Sequence, residues 1–432
     1  MADDLMTLWR AVRSAGGRDA YVRAQLEEKG FLVRRRETDG MSKRELAKYK
    51  KELKAEAAER KRLAKEAWDA YKAAHIVHLG EGVYWNDAAD FDRFDHPRAE
   101  ERVAELGLPA LDDPDALAEA LGLGVAELRW LTYHRDAAKA IHYRRFTIPK
   151  SSGGERAIWA PLPKLKEAQR WVLREIVERL PVHGAAHGFV PGRSTATNAA
   201  AHADAEILVK VDLKDFFPTV TLPRVRGVFR QAGYREQVAT LLALLCTESP
   251  REVVERGGET WYLALGPRCL PQGAPTSPAL TNALSMRLDR RLTGLAKKLG
   301  WRYTRYADDL SFSLPVSKKK RKAAPNIGSL LGGVRIIVES EGFTVNEKKT
   351  QVAPPGARQK VTGLVINDGL GPRVPRADRR RIRAALHRLR LGKPLPEGES
   401  IERIEGWIAY IQMSQPELGE RLAAELAEVR GG

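Results

Sequence analysis

Three aspartates follow apolar strand patterns in two separate parts of the sequence. Residues 207–211 have the pattern of a buried strand that ends at Asp212, and residues 303–306 lead to the adjacent pair Asp308 and Asp309. A second apolar run follows that pair, which predicts a hairpin with two carboxylates at its tip. Because an acid at the end of a rigid strand projects from a fixed position, the three carboxylates are predicted to converge.

Convergent carboxylates suit a hard divalent cation. Mg²⁺ takes oxygen ligands in octahedral geometry and keeps waters and substrate phosphates in its shell. Two such ions about 4 Å apart would activate a primer hydroxyl and stabilise the leaving pyrophosphate. An isolated Asp-Asp pair in a turn is usually only solvated, so the prediction depends on both segments together. These residues alone leave two reaction classes open, polymerase and nuclease.

Composition favours a nucleic-acid partner. The 73 Lys and Arg exceed the 56 Asp and Glu, giving a net charge of +17, and such an excess attracts polyanions. A membrane surface is less favoured because the basic stretches lack a strongly apolar helical face. The count of two cysteines excludes a disulfide scaffold and a cysteine-rich zinc site. With no long apolar run and an acidic N-terminus, we expect a cytoplasmic protein with no membrane contact.

Local patterns predict the elements around these aspartates. Ser42 and Glu45 have capping-box spacing and open a long amphipathic helix that extends to about residue 74. A breaker-rich, acidic stretch follows, so we place a domain boundary near residue 105. Residues 114–134 are predicted to form two short helices. Residues 143–149 and 157–159, joined by a basic turn that contains glycine, are predicted to form a hairpin.

Four motifs occur in the order that reverse transcriptases show. Residues 306–309, Tyr-Ala-Asp-Asp, resemble their catalytic tetrapeptide, and residues 212–217 resemble their first catalytic motif. Residues 270–278, followed by Asn282, are similar to the loop that contacts template and nucleotide. Residues 346–350 resemble the next palm motif. The similarity extends over residues 110–400, which is most of the chain.

Two shorter elements resemble those of one subfamily. Asn198 and His202 fit the Asn-Ala-x-x-His element of retron enzymes, and residues 361–363 fit their Val-Thr-Gly element. The sequence is therefore similar to bacterial retron-type reverse transcriptases. The resemblance implies an α+β, right-hand polymerase fold with fingers, an antiparallel palm sheet, a helical thumb and a mainly helical N-terminal extension. The expected boundaries are 1–105 for an extension of unknown role, 106–204 for the fingers, 205–370 for the palm with a loop at 270–282, and 371–432 for a basic helical thumb.

The resemblance also implies roles for individual residues. Asp212 and Asp308 would bind two Mg²⁺ ions, supported by Asp309, and Phe217 would exclude ribonucleotides by colliding with a 2′-hydroxyl. The expected nucleotide-binding residues are Lys150, Arg156, Asp215, Phe217, Gln272, Gly273 and Lys349. The expected RNA-binding residues are Asn198, His202, Val361, Thr362, Gly363, Arg379, Arg380 and Arg383. For Asp215, a purely structural role is an equal alternative, and Lys349 would serve either as a proton donor to pyrophosphate or as a phosphate contact.

Partners follow from the same resemblance. A retron enzyme would use deoxynucleotides to copy part of a structured non-coding RNA, priming from a 2′-hydroxyl of that RNA. The product would be branched DNA linked to RNA, commonly in anti-phage defence with an effector protein. Two alternatives stay open. One is another bacterial reverse transcriptase, such as a group II intron maturase-like enzyme, and the other is a non-catalytic RNA-binding scaffold with a polymerase fold.

Overall fold

The computed structural model describes residues 2–29, 36–76, 78–83, 95–149, 153–316, 326–367, 369 and 371–431. The chain divides into two compact units, Met1–Val77 and His78–Gly432. No helix within the described ranges combines the length and apolarity needed to cross a membrane.

The N-terminal unit is helical. It contains α1 (Ala2–Ser14), α2 (Arg18–Glu28) and α3 (Lys43–Ala74). The predicted capping box begins α3: the Ser42 backbone N–H donates to the Glu45 carboxylate at 2.9 Å, and the Ser42 hydroxyl accepts from the Glu45 N–H at 3.4 Å. Ion pairs one turn apart, such as Arg62–Glu66, follow along the helix. The predicted long, charged helix is confirmed.

The second unit begins with short helices and a β-hairpin. In chain order its first elements are α4 (Ala99–Glu105), α5 (Pro114–Ala120), α6 (Val125–Thr132), β1 (Ala137–Ala138), β2 (Tyr143–Pro149), β3 (Glu155–Pro161), α7 (Pro163–Glu175) and α8 (Thr195–Ala200). Strands β2 and β3 pair antiparallel along their whole length, which confirms the predicted hairpin. The two predicted short helices are α5 and α6.

A mixed segment with the central sheet follows. Its elements are β4 (Ala205–Leu213), α9 (Leu222–Gln231), α10 (Glu236–Cys246), β5 (Arg251–Arg256), β6 (Glu259–Ala264), α11 (Ser277–Leu284), α12 (Met286–Leu299), β7 (Arg302–Tyr306), β8 (Asp309–Pro315), α13 (Ile327–Ser340) and β9 (Val345–Ala353). The sheet has the order β7-β8-β4-β9 and is antiparallel throughout. Strands β7 and β8 form the predicted aspartate hairpin.

The central strand β4 is covered on both faces. Leu208, Val209 and Val211 are at most 1% exposed although they point alternately to opposite faces. Helix α12 packs beside β7, and α13 packs on α12. Because β4 lies between β8 and β9 within this buried layer, the residues at its end have little freedom to move.

The C-terminal helices share one apolar core with the sheet. The remaining elements are β10 (Lys360–Val361), β11 (Leu364–Val365), α14 (Arg376–Arg390), α15 (Ile401–Ser414) and α16 (Pro416–Gly431). Ile382 of α14 and Ile408 of α15 belong to the same buried cluster as Leu208 of β4. The predicted basic, helical C-terminal segment is confirmed as secondary structure.

One predicted loop is partly helical. Residues 270–282 were expected to be a loop, but α11 begins at Ser277. Pro278 lies in the first turn of the helix, where its missing N–H costs no hydrogen bond. The Ser277 hydroxyl donates to the Pro271 carbonyl at 2.8 Å and closes the preceding turn. The expectation of a loop over the whole stretch was therefore wrong from Ser277 onward.

Candidate active site

Strand register brings the three predicted aspartates to one end of the central sheet. Asp212 of β4 pairs directly with Asp309 of β8. Asp308 lies in the tight turn between Tyr306 and Asp309, which are themselves paired across the hairpin. The Asp308 carbonyl accepts a hydrogen bond from the Leu213 N–H at 3.0 Å, so the turn is tied to the end of β4.

The carboxylates of this group repel one another. Burial, followed by the charges of Asp309 and Asp212, raises the pKa of Asp308. Burial and the charge of Asp212 also raise the pKa of Asp309, against the opposing effect of Lys210 and Lys349. A cation bound among these oxygens would remove the repulsion, and hard oxygen donors are the ligands that Mg²⁺ prefers. The donor set therefore fits a divalent metal.

Asp212 is hydrogen-bonded through both of its oxygens. Asn346 donates from Nδ2 to Oδ1 at 2.8 Å, and Lys349 lies with Nζ 3.1 Å from Oδ2. Both partners come from β9. In these side-chain positions, the part of the chain that the structure describes contains no group of three or more His, Cys, Asp or Glu residues arranged to hold one ion. Each of these oxygens keeps a second lone pair, so Asp212 can ligate a metal while Asn346 and Lys349 hold its orientation.

A buried ion pair that no sequence motif indicated supports the turn that carries Asp308. Arg305 and Asp289 are both fully buried and form a bidentate pair at 2.9 and 2.8 Å. The Nη1 atom of Arg305 also donates to Asn282 Oδ1 at 3.0 Å and to the Ala307 carbonyl at 3.2 Å. The available signal was a cation at an inward-facing strand position, where a charge requires a partner.

The predicted nucleotide-binding side chains differ in exposure. Arg156 and Asp215 are exposed, and Phe217 is half-buried, whereas Phe216 is 3% exposed and packs against Phe343. Phe216 is therefore part of the core, and Phe217 is the more exposed of the two adjacent rings. Asp215 has φ 47°, a left-handed conformation that Asp tolerates better than most residues. Lys150 lies outside the described residues.

Gln272 and Gly273 contact the β2–β3 hairpin through their backbone. The Gln272 carbonyl accepts from the Trp159 N–H at 2.7 Å. Gly273 has φ 121°, and a Cβ there would lie 2.8 Å from the Trp159 carbonyl oxygen and from Ile158. The absence of a side chain at Gly273 therefore lets the backbone approach the β2–β3 hairpin closely. This contact fixes the hairpin against the segment that precedes α11.

The two elements predicted to be typical of retron enzymes meet in space. Asn198 donates from Nδ2 to Thr362 Oγ1 at 3.5 Å, and the Thr362 hydroxyl donates to the Thr195 carbonyl at 3.0 Å. Tyr410 of α15 donates to the Thr362 carbonyl at 3.2 Å. A Cβ on Gly363, which has φ 91°, would lie 2.8 Å from the Tyr410 hydroxyl. These contacts connect α8 with the C-terminal helices.

Three of the predicted RNA-binding residues offer no surface to RNA. Asn198, His202 and Val361 are each 0% exposed, and this departs from the expectation of direct contact. Their polar groups and side chains instead join α8 to the sheet and to the Val-Thr-Gly element. On α14, by contrast, Arg380 and Arg383 are exposed, and Arg379 is half-buried.

His202 predicts a stability that depends on pH. Its ring nitrogens lie 2.7 Å from the hydroxyls of Ser313 and Thr304, and burial, with the charges of His187 and Arg302, lowers its pKa to about 3. Between that value and about 6.5, the unfolded state binds the proton that the folded state excludes. We therefore expect the free energy of unfolding to fall by about 2 kcal/mol as the pH falls from 6.5 to 5.

Denaturant unfolding of the wild type and of His202→Gln at these two pH values measures the effect. Glutamine does not titrate in this range, so the variant should lose less stability on acidification than the wild type. Burial also lowers the pKa of His134, His142 and His187. These three histidines therefore add to the loss of stability at low pH in the wild type and in the variant alike. Equal losses in the two proteins would contradict the role given to His202.

The matched family defines the class of protein. Residues 148–366 match the family described as reverse transcriptase (RNA-dependent DNA polymerase). The chain is thus an RNA-directed DNA polymerase with the right-hand polymerase fold, and divalent metal dependence, generally on Mg²⁺, comes with that family. The convergent aspartates lie inside the matched region.

Similar proteins narrow the class. Retron Mx162 reverse transcriptase from Myxococcus xanthus is 51% identical, covering 98% of this chain and 89% of the relative. Retron Mx65 reverse transcriptase from the same organism is 44% identical over 75% of this chain and 73% of its own length, and retron Ec86 reverse transcriptase from Escherichia coli is 34% identical over 76% and 92%. The chain belongs to the retron reverse transcriptases. The family resemblance is confirmed, and the maturase-like and scaffold alternatives are not supported.

Proposed function

We propose that this reverse transcriptase copies part of a structured non-coding RNA encoded beside its gene. Synthesis starts from the 2′-hydroxyl of a guanosine in that RNA and yields DNA joined to the RNA through a 2′,5′ linkage. The observation that supports the polymerase centre most directly is the register that sets Asp212 opposite Asp309 and beside Asp308. The retron-specific product is supported by the 51% identity to a retron enzyme over nearly the whole chain.

The carboxylates have distinct proposed roles. Asp212 and Asp308 hold two Mg²⁺ ions, and Asp309, paired with Asp212 across the strands, supports them. When bound, the two ions supply activation of the primer hydroxyl and neutralisation of the leaving pyrophosphate. Lys349 holds the Asp212 carboxylate at 3.1 Å and lies 54% exposed, so its ammonium is also accessible to a phosphate. Asn346 fixes the other oxygen of Asp212.

The incoming deoxynucleotide is proposed to lie between the hairpin and the aspartates. Arg156 on β3 and Lys150, the next residue in the sequence after β2, contact the triphosphate, for which a guanidinium and an ammonium are suited donors. Gln272 faces the nucleotide from the loop that Gly273 fixes against Trp159. Asp215 contacts the triphosphate through its backbone rather than through its carboxylate.

Phe217 is proposed to select the sugar. Its half-buried ring follows the first catalytic aspartate by five residues, and a bulky ring beneath the ribose collides with a 2′-hydroxyl. Phe217→Val should raise the ratio of ribonucleotide to deoxynucleotide incorporation at least about tenfold, the scale on which a pocket responds to a small change in size. Single-nucleotide extension with each nucleotide measures the ratio.

Phe216 offers a matched control. Its ring is buried against Phe343, so Phe216→Val should lower the free energy of unfolding and leave the sugar ratio unchanged. If both valine variants changed the ratio equally, Phe217 would have no specific role as a steric gate.

The right-hand polymerase regions are proposed to divide the chain as 106–204 for the fingers, 205–370 for the palm and 371–432 for the thumb. Arg380 and Arg383 on α14, with Arg379 beside them, contact the backbone of the template–primer duplex. Asn198, His202, Val361, Thr362 and Gly363 contribute indirectly, because they fix the thumb helices to α8 and the sheet. Residues 1–105 are proposed as the extension, which takes in the first compact unit and the start of the second unit as far as α4.

The enzyme is proposed to act in the cytoplasm, in anti-phage defence together with a separate effector protein. Co-expression of the protein with its neighbouring RNA tests the product. The expected result is a DNA that co-purifies with the protein, remains attached to RNA and is released by a 2′,5′-debranching enzyme. Asp308→Asn should yield the RNA without DNA. A linear DNA with a free 5′ end would contradict 2′-hydroxyl priming.

A further inference from the structure

The backbone segment before α8 carries an aromatic ring in an unfavourable conformation beside the catalytic turn. Phe189 has φ 57°, in the left-handed region that bulky side chains rarely adopt. Its side chain is 55% exposed, and its ring centroid lies 6.0 Å from that of Tyr306. Tyr306 is the last residue of β7 before the turn that carries Asp308.

Neighbouring contacts hold this segment in place. Arg305 and residues 185–187 exchange two backbone hydrogen bonds, Arg305 N–H to the Ala185 carbonyl and His187 N–H to the Arg305 carbonyl, both at 2.8 Å. Asn282 donates from Nδ2 to the Gly188 carbonyl at 2.7 Å. A Cβ on Gly188 would lie 2.9 Å from the Ala307 backbone nitrogen, so the segment touches the turn itself.

Packing of the Phe189 ring does not explain the left-handed conformation of its backbone. A side chain that stabilised the fold through burial would not be more than half exposed. Unfavourable backbone conformations persist where surrounding contacts impose them, and they cluster at sites of function. Here Asn282 donates a hydrogen bond to the Gly188 carbonyl, and Arg305 donates both to Asn282 and to the Ala307 carbonyl in the turn that carries Asp308. The backbone that carries the exposed ring is therefore held beside the turn that bears Asp308.

We propose that Phe189 stacks on the base of the primer nucleotide that carries the reacting hydroxyl. This inference rests on the proposed role of Asp212, Asp308 and Asp309 as the reaction centre. The ring lies 6.0 Å from that of Tyr306, two residues from Asp308, so a primer end held at the carboxylates would lie close to it. Every base presents a flat face, which makes an aromatic contact suitable whatever the sequence.

Glycine at this position separates function from packing. Phe189→Gly removes the ring and relieves the left-handed backbone, so the thermal midpoint should stay equal to that of the wild type or rise. Affinity for an RNA template–DNA primer duplex, measured by fluorescence anisotropy without divalent cation, should fall about tenfold. Phe189→Tyr keeps the ring and should remain within about threefold of wild type. Ile336→Ala, which trims a 68% exposed apolar residue on α13, is the matched control.

A duplex whose terminal primer nucleotide lacks its base identifies the contact. On that duplex, the wild type and Phe189→Gly should bind equally, whereas an abasic template position opposite should preserve their difference. The proposal is overturned if Phe189→Gly binds the intact duplex as tightly as wild type. It is also overturned if the thermal midpoint falls together with affinity, or if only the abasic template removes the difference. The binding assay contains no divalent cation, so its outcome does not depend on catalysis. The proposed reaction centre is tested separately by primer extension, and normal extension by Asp308→Asn would refute it.

Discussion

Asp308→Asn should slow DNA synthesis by orders of magnitude and at the same time stabilise the folded protein at neutral pH. Burial and the neighbouring carboxylates raise the pKa of Asp308, so its ionised form opposes folding, and this cost appears as the pH rises through the raised pKa. Asparagine keeps the shape without the charge. The rate of primer extension should fall by about 10³-fold, the scale on which loss of a group that stabilises transition-state charge acts.

Primer extension with Mg²⁺ and deoxynucleotides measures the first effect, and denaturant unfolding at pH 7 measures the second. Asp112→Asn is a suitable control, since this aspartate is exposed and lies before α5. It should change neither quantity. A slower but less stable Asp308→Asn would indicate a structural role for the carboxylate, and unchanged extension would exclude it from the reaction centre.

Asp289→Ala should cost the protein about 3–5 kcal/mol of stability, because it leaves the guanidinium of Arg305 buried without its ionic partner. The pair is fully buried, and the Tyr303 hydroxyl also donates to Asp289 at 2.8 Å. Arg305 positions the Ala307 carbonyl in the catalytic turn, so the folded fraction that remains should extend primers more slowly. Denaturant unfolding, with extension assayed at a temperature where the variant stays folded, measures both effects.

An exposed ion pair provides the comparison. Arg335 and Glu347 form a bidentate contact at 2.6 and 2.9 Å on the surface. Because solvent screens this pair, Glu347→Ala should leave the free energy of unfolding almost unchanged. Similar losses for Asp289→Ala and Glu347→Ala would contradict the importance given to burial. A normal extension rate in folded Asp289→Ala would contradict the link to the catalytic turn.

Sequence patterns were sufficient where the structure is determined locally. The capping box at Ser42, the β2–β3 hairpin and the aspartate hairpin each depend on residues close together in the chain. The convergence of Asp212 with Asp308 was predicted because two apolar strands that each lead to an acid could lie side by side and share a divalent cation. The spacing of the aspartates left the reaction class open between polymerase and nuclease. The order of the four motifs then indicated the reverse transcriptase family.

Local sequence patterns could not predict contacts between residues that lie far apart in the chain. Nothing near Arg305 in the sequence indicates that its partner is Asp289 on the preceding helix, or that both are fully buried. Asn198 and His202 were assigned to RNA because a motif does not report depth, and the structure buries both. The left-handed conformation of Phe189 is likewise imposed by distant contacts, since phenylalanine itself disfavours it.

The position of a bound metal ion tests the central claim most directly. Crystals of the enzyme with a template–primer duplex and a non-reactive deoxynucleotide, grown with Mn²⁺ in place of Mg²⁺, allow the ion to be located by its anomalous scattering. We expect peaks within about 2.0–2.2 Å of carboxylate oxygens from both Asp212 and Asp308. Peaks located away from these two residues would show that the aspartates are not the metal site.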